Sequence, residues 1–159
     1  MSGSGLLLDL DALRKPPTDP EANAKYRVML YNASLGRLDV QEDFLNLCRV
    51  DLLWCFDSYY WTLDPRATYP DQPFILYPFQ RDYLMKLEDN YQARKDILVE
   101  KSRDMGVTWL TLDWLLWHWR FETGFQAILG SRLEDLIDEH GQLGTHFERL
   151  RWELRHLPE

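Results

Sequence analysis

ILVEKSRDMGVTWLTLDWLLWHW, residues 97–119, carries the strongest local signal in the chain. Ile97, Leu98 and Val99 form an apolar run suited to a buried strand. A short polar loop containing Gly106 follows and opens directly into a long apolar helix. That order is the frame of a phosphate-binding loop, in which backbone N–H groups curl around phosphates, a lysine reaches the outer ones and a final hydroxyl ligates magnesium. Against the pattern G-x-x-x-x-G-K-[ST], the eight positions read Lys101, Ser102, Arg103, Asp104, Met105, Gly106, Val107 and Thr108.

Two anchors of that pattern are kept and two are altered. Gly106 lets the backbone approach a ligand closely, and Thr108 puts a hydroxyl on the first turn of a helix whose free N–H groups favour anions. Val107 fills the usual lysine position, so the loop lacks its neutralising cation unless Lys101, at its other end, supplies one. Arg103 adds a second cation.

The segment EKSRDMGVTW is similar to the variant Walker A segment of tailed-phage terminase large subunits, DNA-packaging ATPases in many of which the lysine opens the loop. FILYPFQRDYL, residues 74–84, resembles their adenine-recognition segment, and ILGSRLEDLIDEHG, residues 128–141, resembles the strand and helix that follow. The likeness covers residues 60–157 and is vague before them. It implies ATP and Mg2+ as cofactors, held by residues 101–108 with Thr108 on the metal. Lys101 and Arg103 are the implied catalytic cations. Gln80 is implied to read adenine through its amide, which offers one acceptor and two donors, with Phe79 or Tyr77 walling the base. In a complete motor the implied partners are double-stranded DNA, the portal and the small terminase subunit, in the host cytoplasm at the procapsid, with a possible homo-oligomer and no membrane.

The expected fold is α/β: a partial P-loop NTPase-type parallel sheet preceded by an α-helical N-terminal region. Strands at residues 96–100 and 125–130 are expected to pair in parallel through a right-handed crossover. The division is a flexible lead over residues 1–20, a helical region with an aromatic loop over 21–73, and the first part of an ATPase domain over 74–159.

Composition bounds the function. The aromatic share of 14% argues against disorder beyond the ends, and a formal charge of -8 argues against a free-standing nucleic-acid binder. Cys48 and Cys55 fall on one face of an expected helix without disulfide or zinc spacing and read as core thiols. His118, His140, His146 and His156 show no ligand spacing.

Elsewhere, helices are expected over residues 21–35, stopped by Gly36, and over 39–57, started by an Asp39/Glu42 capping box. Residues 59–77 read as a proline-rich aromatic loop. Helices follow over 79–90 and 108–121, the latter apolar on two flanks and so buried on two sides. Ser131 with Glu134 and Thr145 with Glu148 open two more, the last with Phe147, Leu150, Leu154 and Leu157 inward and Trp152 outward.

No apolar strand ending in Asp or Glu follows Thr108, so the acid that completes magnesium binding and hydrolysis is missing. The expectation is a chain truncated before that acid and the nuclease domain, able to bind nucleotide but not to turn it over efficiently. The competing readings are a non-catalytic assembly module derived from such an ATPase, and a helicase-like ATPase fragment. Lys101 at the first loop position favours the terminase over the helicase.

Overall fold

The computed structural model describes residues 13–64 and 66–158; most of the expected N-terminal lead, residues 1–12, lies outside them. Pro20–Ser34 is α1, because Asp19 accepts the Ala22 N–H at 2.9 Å and Pro20 takes the first-turn position where no donor is needed. Gly36, with φ at +70°, turns the chain into α2, Leu38–Val50. Leu52–Tyr59 is α3. A hairpin of β1, Trp61–Leu63, and β2, Asp71–Pro73, leads to α4, Pro78–Gln92. Val107–Phe121 is α5, and His146–His156 is α6.

The expected parallel sheet is overturned. Among the described residues the sheet has two strands, antiparallel, pairing Trp61 with Pro73 and Leu63 with Asp71. Residues 96–100 and 125–130 are irregular and join no ladder among the described residues, and Leu98 and Ile128 are 98% and 99% exposed. Two short parallel strands make few hydrogen bonds and need cover on both faces to be stable. Here the helices bury one another instead, and the two apolar runs lie outside.

Further expectations are corrected. The single helix over 39–57 is two, because Asp51 leaves the helical region and caps α3 by accepting the Trp54 N–H at 2.8 Å. Arg37 stands at the start of α2 without a side-chain capping bond, and pairs with Asp39 instead, so the Asp39/Glu42 box is not used. The helix expected after Ser131 is a single 3-10 turn, Glu134–Leu136, with no buried residue to hold it. On α6 the inner face is Glu148, Trp152 and Glu153, whereas Phe147 and Leu154 are exposed.

The core is the α1–α3 assembly joined to α4 and α5. Phe56 stacks on Tyr60 at 4.3 Å, and Leu30, Leu84 and Leu110 close around them, all without solvent contact or nearly so. Cys48 and Cys55 are free and buried, as expected. Asp57 joins the elements: its carboxylate accepts the Leu76 N–H and pairs with Arg81, and its carbonyl accepts from Asn23 and Arg27. Leu13 is fixed by its carbonyl, which accepts from the Tyr26 hydroxyl and the Trp54 indole. Among the described residues no helix is long and apolar enough to cross a membrane.

Asp113 of α5 and Glu153 of α6 lie within the fold, each with one carboxyl oxygen that has no hydrogen-bond partner among the described residues. Burial pushes Glu153 up to about 8, opposed by the Trp61 N–H and the Arg27 charge. Burial and the neighbouring Glu153 raise Asp113 as well, opposed by Arg149. A carboxyl raised on folding binds more protons in the folded chain, so its linkage lowers stability as pH rises from the ordinary carboxylate range towards the folded value. The denaturant midpoint is therefore expected to fall between about pH 5 and pH 8, and Glu153→Gln to reduce that slope while buried Asp113 keeps its share.

Candidate functional site

Residues 101–106 form an exposed loop at the head of α5. Asp104 and Gly106 both take positive φ, +61° and +74°, which curls the chain into the helix and leaves Gly106 as its N-cap. Glycine adopts this conformation at no steric cost; asparagine and aspartate tolerate it better than most other residues. Gly106 makes no side-chain cap, and the first helical N–H with a backbone acceptor among the described residues is that of Leu110, to Gly106. The N–H groups of Val107, Thr108 and Trp109 therefore point out of the helix end, where its dipole favours an anion.

Two contacts with α4 hold this helix end. Gln80, only 4% exposed, accepts the Tyr77 N–H at 3.0 Å through Oε1 and donates Nε2 to the Met105 carbonyl at 3.2 Å. Deeper in, the Tyr83 and Thr111 hydroxyls share a hydrogen bond of 2.7 Å, and Thr111 donates to the Val107 carbonyl at 2.8 Å. From α6, Trp152 meets Trp109 edge-on at 5.3 Å, and Arg149 lies over the Trp109 ring.

The structure thus brings Gln80, Met105 and Gly106 together, with Val107 and Thr108 half-buried on the first turn. Lys101, Ser102, Arg103 and Asp104 are exposed. Phe79 is exposed and stacks on Tyr77 at 5.9 Å, outside the contact that Gln80 makes. Sequence reasoning missed Arg66 in the β1–β2 turn, whose guanidinium is raised by Asp64 and more weakly by Asp104, so it lies within electrostatic reach of the loop.

A second cluster was also missed. His118 of α5, 2% exposed, is gripped at both ring nitrogens, by Glu88 of α4 and by Glu122, each at 2.8 Å. Trp114 donates to the same Glu88 oxygen at 2.9 Å, and Tyr91 bonds Glu122. Burial opposes the Glu88 charge, but the bonds from Gln92, Trp114 and His118 together hold its carboxyl below the usual range. Tyr91 and His118 lower Glu122 in the same way. A cavity of about 490 Å³ opens beside them, also lined by Arg49 and Arg94. With both nitrogens spent, His118 has no free lone pair for a metal or a nucleophile, and the cluster is a clamp between α4 and the end of α5. The helical spacing of His118 and Glu122 was the one signal available in the sequence. Among the described residues no group of three His, Cys, Asp or Glu side chains is placed to hold a metal ion.

Comparison of the chain with protein families, with curated proteins and with solved structures finds no match.

At Gly106 an added Cβ would stand 2.9 Å from Gln80 Nε2, whose amide is pinned at both ends, on a backbone already in the left-handed region. Gly106→Ala is expected to lower stability by about 1–2 kcal/mol, read from chemical denaturation.

Proposed function

We propose that the chain is the nucleotide-binding portion of a terminase large subunit of the DNA-packaging class, with the loop over residues 101–108 holding the phosphates of ATP. The observation that carries this reading is the open end of α5. Three N–H groups without backbone acceptors among the described residues face outward behind a loop curled at Asp104 and Gly106. Exposed Lys101 and Arg103 flank it, and Ser102 adds a hydroxyl. Backbone donors and cations in this arrangement suit a polyphosphate. The likeness of residues 74–84, 101–108 and 128–141 to terminase segments supplies the assignment to packaging, and with it double-stranded DNA, the portal and the small subunit as partners. The reading rests on the loop and the helix end and not on a parallel sheet.

Thr108, half-buried on the first turn, is the residue that would hold Mg2+. One hydroxyl suits this ion, which binds through few protein oxygens and keeps waters and phosphate oxygens for the rest. When bound, the ion neutralises phosphate charge. Lys101 and Arg103 would do the same for the outer phosphate, where charge is spread in phosphoryl transfer. Among the described residues no strand follows β2, so no strand end presents a carboxylate beside Thr108 to orient water.

The second reading, an assembly module, draws on the uncovered apolar surface. Leu98 and Ile128 stand in solvent, and a groove of about 550 Å³ runs between α5, residues 125–129 and α6. The groove is lined mainly by apolar side chains, and contiguous exposed apolar surface marks interaction sites.

Titration calorimetry separates the two. ATP with Mg2+ is expected to bind, and Lys101→Ala or Thr108→Ala to weaken binding by about tenfold, the worth of one charge-assisted bond. No heat at millimolar ATP leaves the assembly module. Phosphate release by this chain is expected to stay far below about one per second, the low end of ordinary turnover; turnover at that rate would require a catalytic carboxylate elsewhere.

A further inference from the structure

We infer that the site over residues 101–108 selects its ligand by the polyphosphate and is indifferent to the base, with Gln80 positioning the loop and not reading adenine. This rests on the reading of those residues as a phosphate site, and it departs from the role that resemblance gives Gln80. An amide can read adenine only if its carbonyl and amino group are free at the edge of a pocket. Neither is free here. Oε1 is taken by the Tyr77 N–H and Nε2 by the Met105 carbonyl, and the side chain is 4% exposed. The backbone of Gly106 closes over the amino end, where even a methyl group would come within 2.9 Å, and Phe74 stands behind it.

Turning Gln80 towards a base would strip the Tyr77 N–H and the Met105 carbonyl of their partner, and partly buried groups left so are costly. The same two bonds have a use where they are. Met105 precedes Gly106, the N-cap whose conformation aims the N–H groups of Val107, Thr108 and Trp109. Gln80 thus fixes the peptide from which the phosphate donors project. What remains near the head of α4 is the exposed Tyr77–Phe79 ring pair, stacked on itself at 5.9 Å and 7°. Its faces accept any base, because every base presents a π surface.

The test is calorimetry of the whole chain with the magnesium complexes of ATP, GTP and inorganic tripolyphosphate, repeated on Gln80→Glu. That variant keeps the acceptor for Tyr77 but sets a carboxylate oxygen against the Met105 carbonyl. The three ligands are expected to bind the unaltered chain with Kd values within about threefold of one another. The variant is expected to weaken all three by one common factor, about fivefold for a lost hydrogen bond. A common factor is the mark of positioning, since tripolyphosphate has no base to lose. ATP binding tenfold or more tighter than the other two, or a variant that weakens ATP and leaves tripolyphosphate unchanged, overturns the inference while the phosphate site stands. If none of the three binds, the phosphate site itself falls and the inference with it. The comparison on the unaltered chain decides even if the variant does not fold.

Discussion

Everything in this fold follows from the need to cover α5. Its sequence is apolar almost all round, and a helix of that kind has no stable place on a surface. Cover comes from three directions. On one side α4 supplies Leu84 and Leu87, the Tyr83–Thr111 bond and the Glu88–His118 pair. The Trp117 indole reaches across to the Cys48 carbonyl of α2 at 2.9 Å. At the head, Trp152 of α6 closes on Trp109. Helices take the place that a sheet was expected to fill, and Leu98 and Ile128 are left with neither apolar cover nor, among the described residues, strand partners.

The cover is not wholly apolar, and its polar points set the geometry. Asp113, in the middle of α5, and His118, nearer its end, both face inward. His118 is satisfied twice over by carboxylates, so it fixes α4 against the tail of α5 through charge-assisted bonds. Asp113 meets another acid, Glu153, and each keeps an oxygen without a hydrogen-bond partner among the described residues. The first contact needs ionised carboxyls and the second favours a neutral one. Strong acid weakens the first, because the Glu88 and Glu122 carboxyls that hold His118 lie below their ordinary range and must stay charged to do so.

The helices were legible because their signals are local. Asp19 with Pro20, Gly36, Gly106 and Thr145 mark ends that a reader of sequence can find, and α1, α4, α5 and α6 lie close to where periodicity puts them. Asp51 shows a local signal misread: aspartate prefers a cap to a helix interior, and it breaks the expected helix in two. The strands failed for a different reason. An apolar run becomes a strand only when another segment presents its backbone, and nothing within Ile97–Val99 states whether one does. The face of α6 failed because it buries Glu148, paired with Arg155 two turns along the same helix, and Glu153, whose partner, the Trp61 N–H, lies on β1. Of the candidate site, the loop and its cations were legible; Arg66 and the buried state of Gln80 depend on long-range packing and were not.

That packing gives the loop two unlike ends. From Met105 onward it is pinned, by Gln80 at the carbonyl and by the Tyr83–Thr111–Val107 relay one turn deeper. From Asp96 to Lys101 the backbone makes no backbone hydrogen bond among the described residues, and the side chains from Asp96 to Arg103 stand in solvent. The donors that would meet a phosphate are therefore held rigid, whereas the cations Lys101 and Arg103 sit on a tether. In a loop with lysine at the helix, donor and cation are fixed together. On the proposed reading, moving the cation to the front, with Val107 half-buried in its stead, separates orientation from neutralisation: the helix end would set where a phosphate lies, and Lys101 would have to be brought to it. Covering the apolar run Ile97–Val99 just upstream would order that tether, so the uncovered surface and the proposed phosphate loop would bear on each other through residues 96–101.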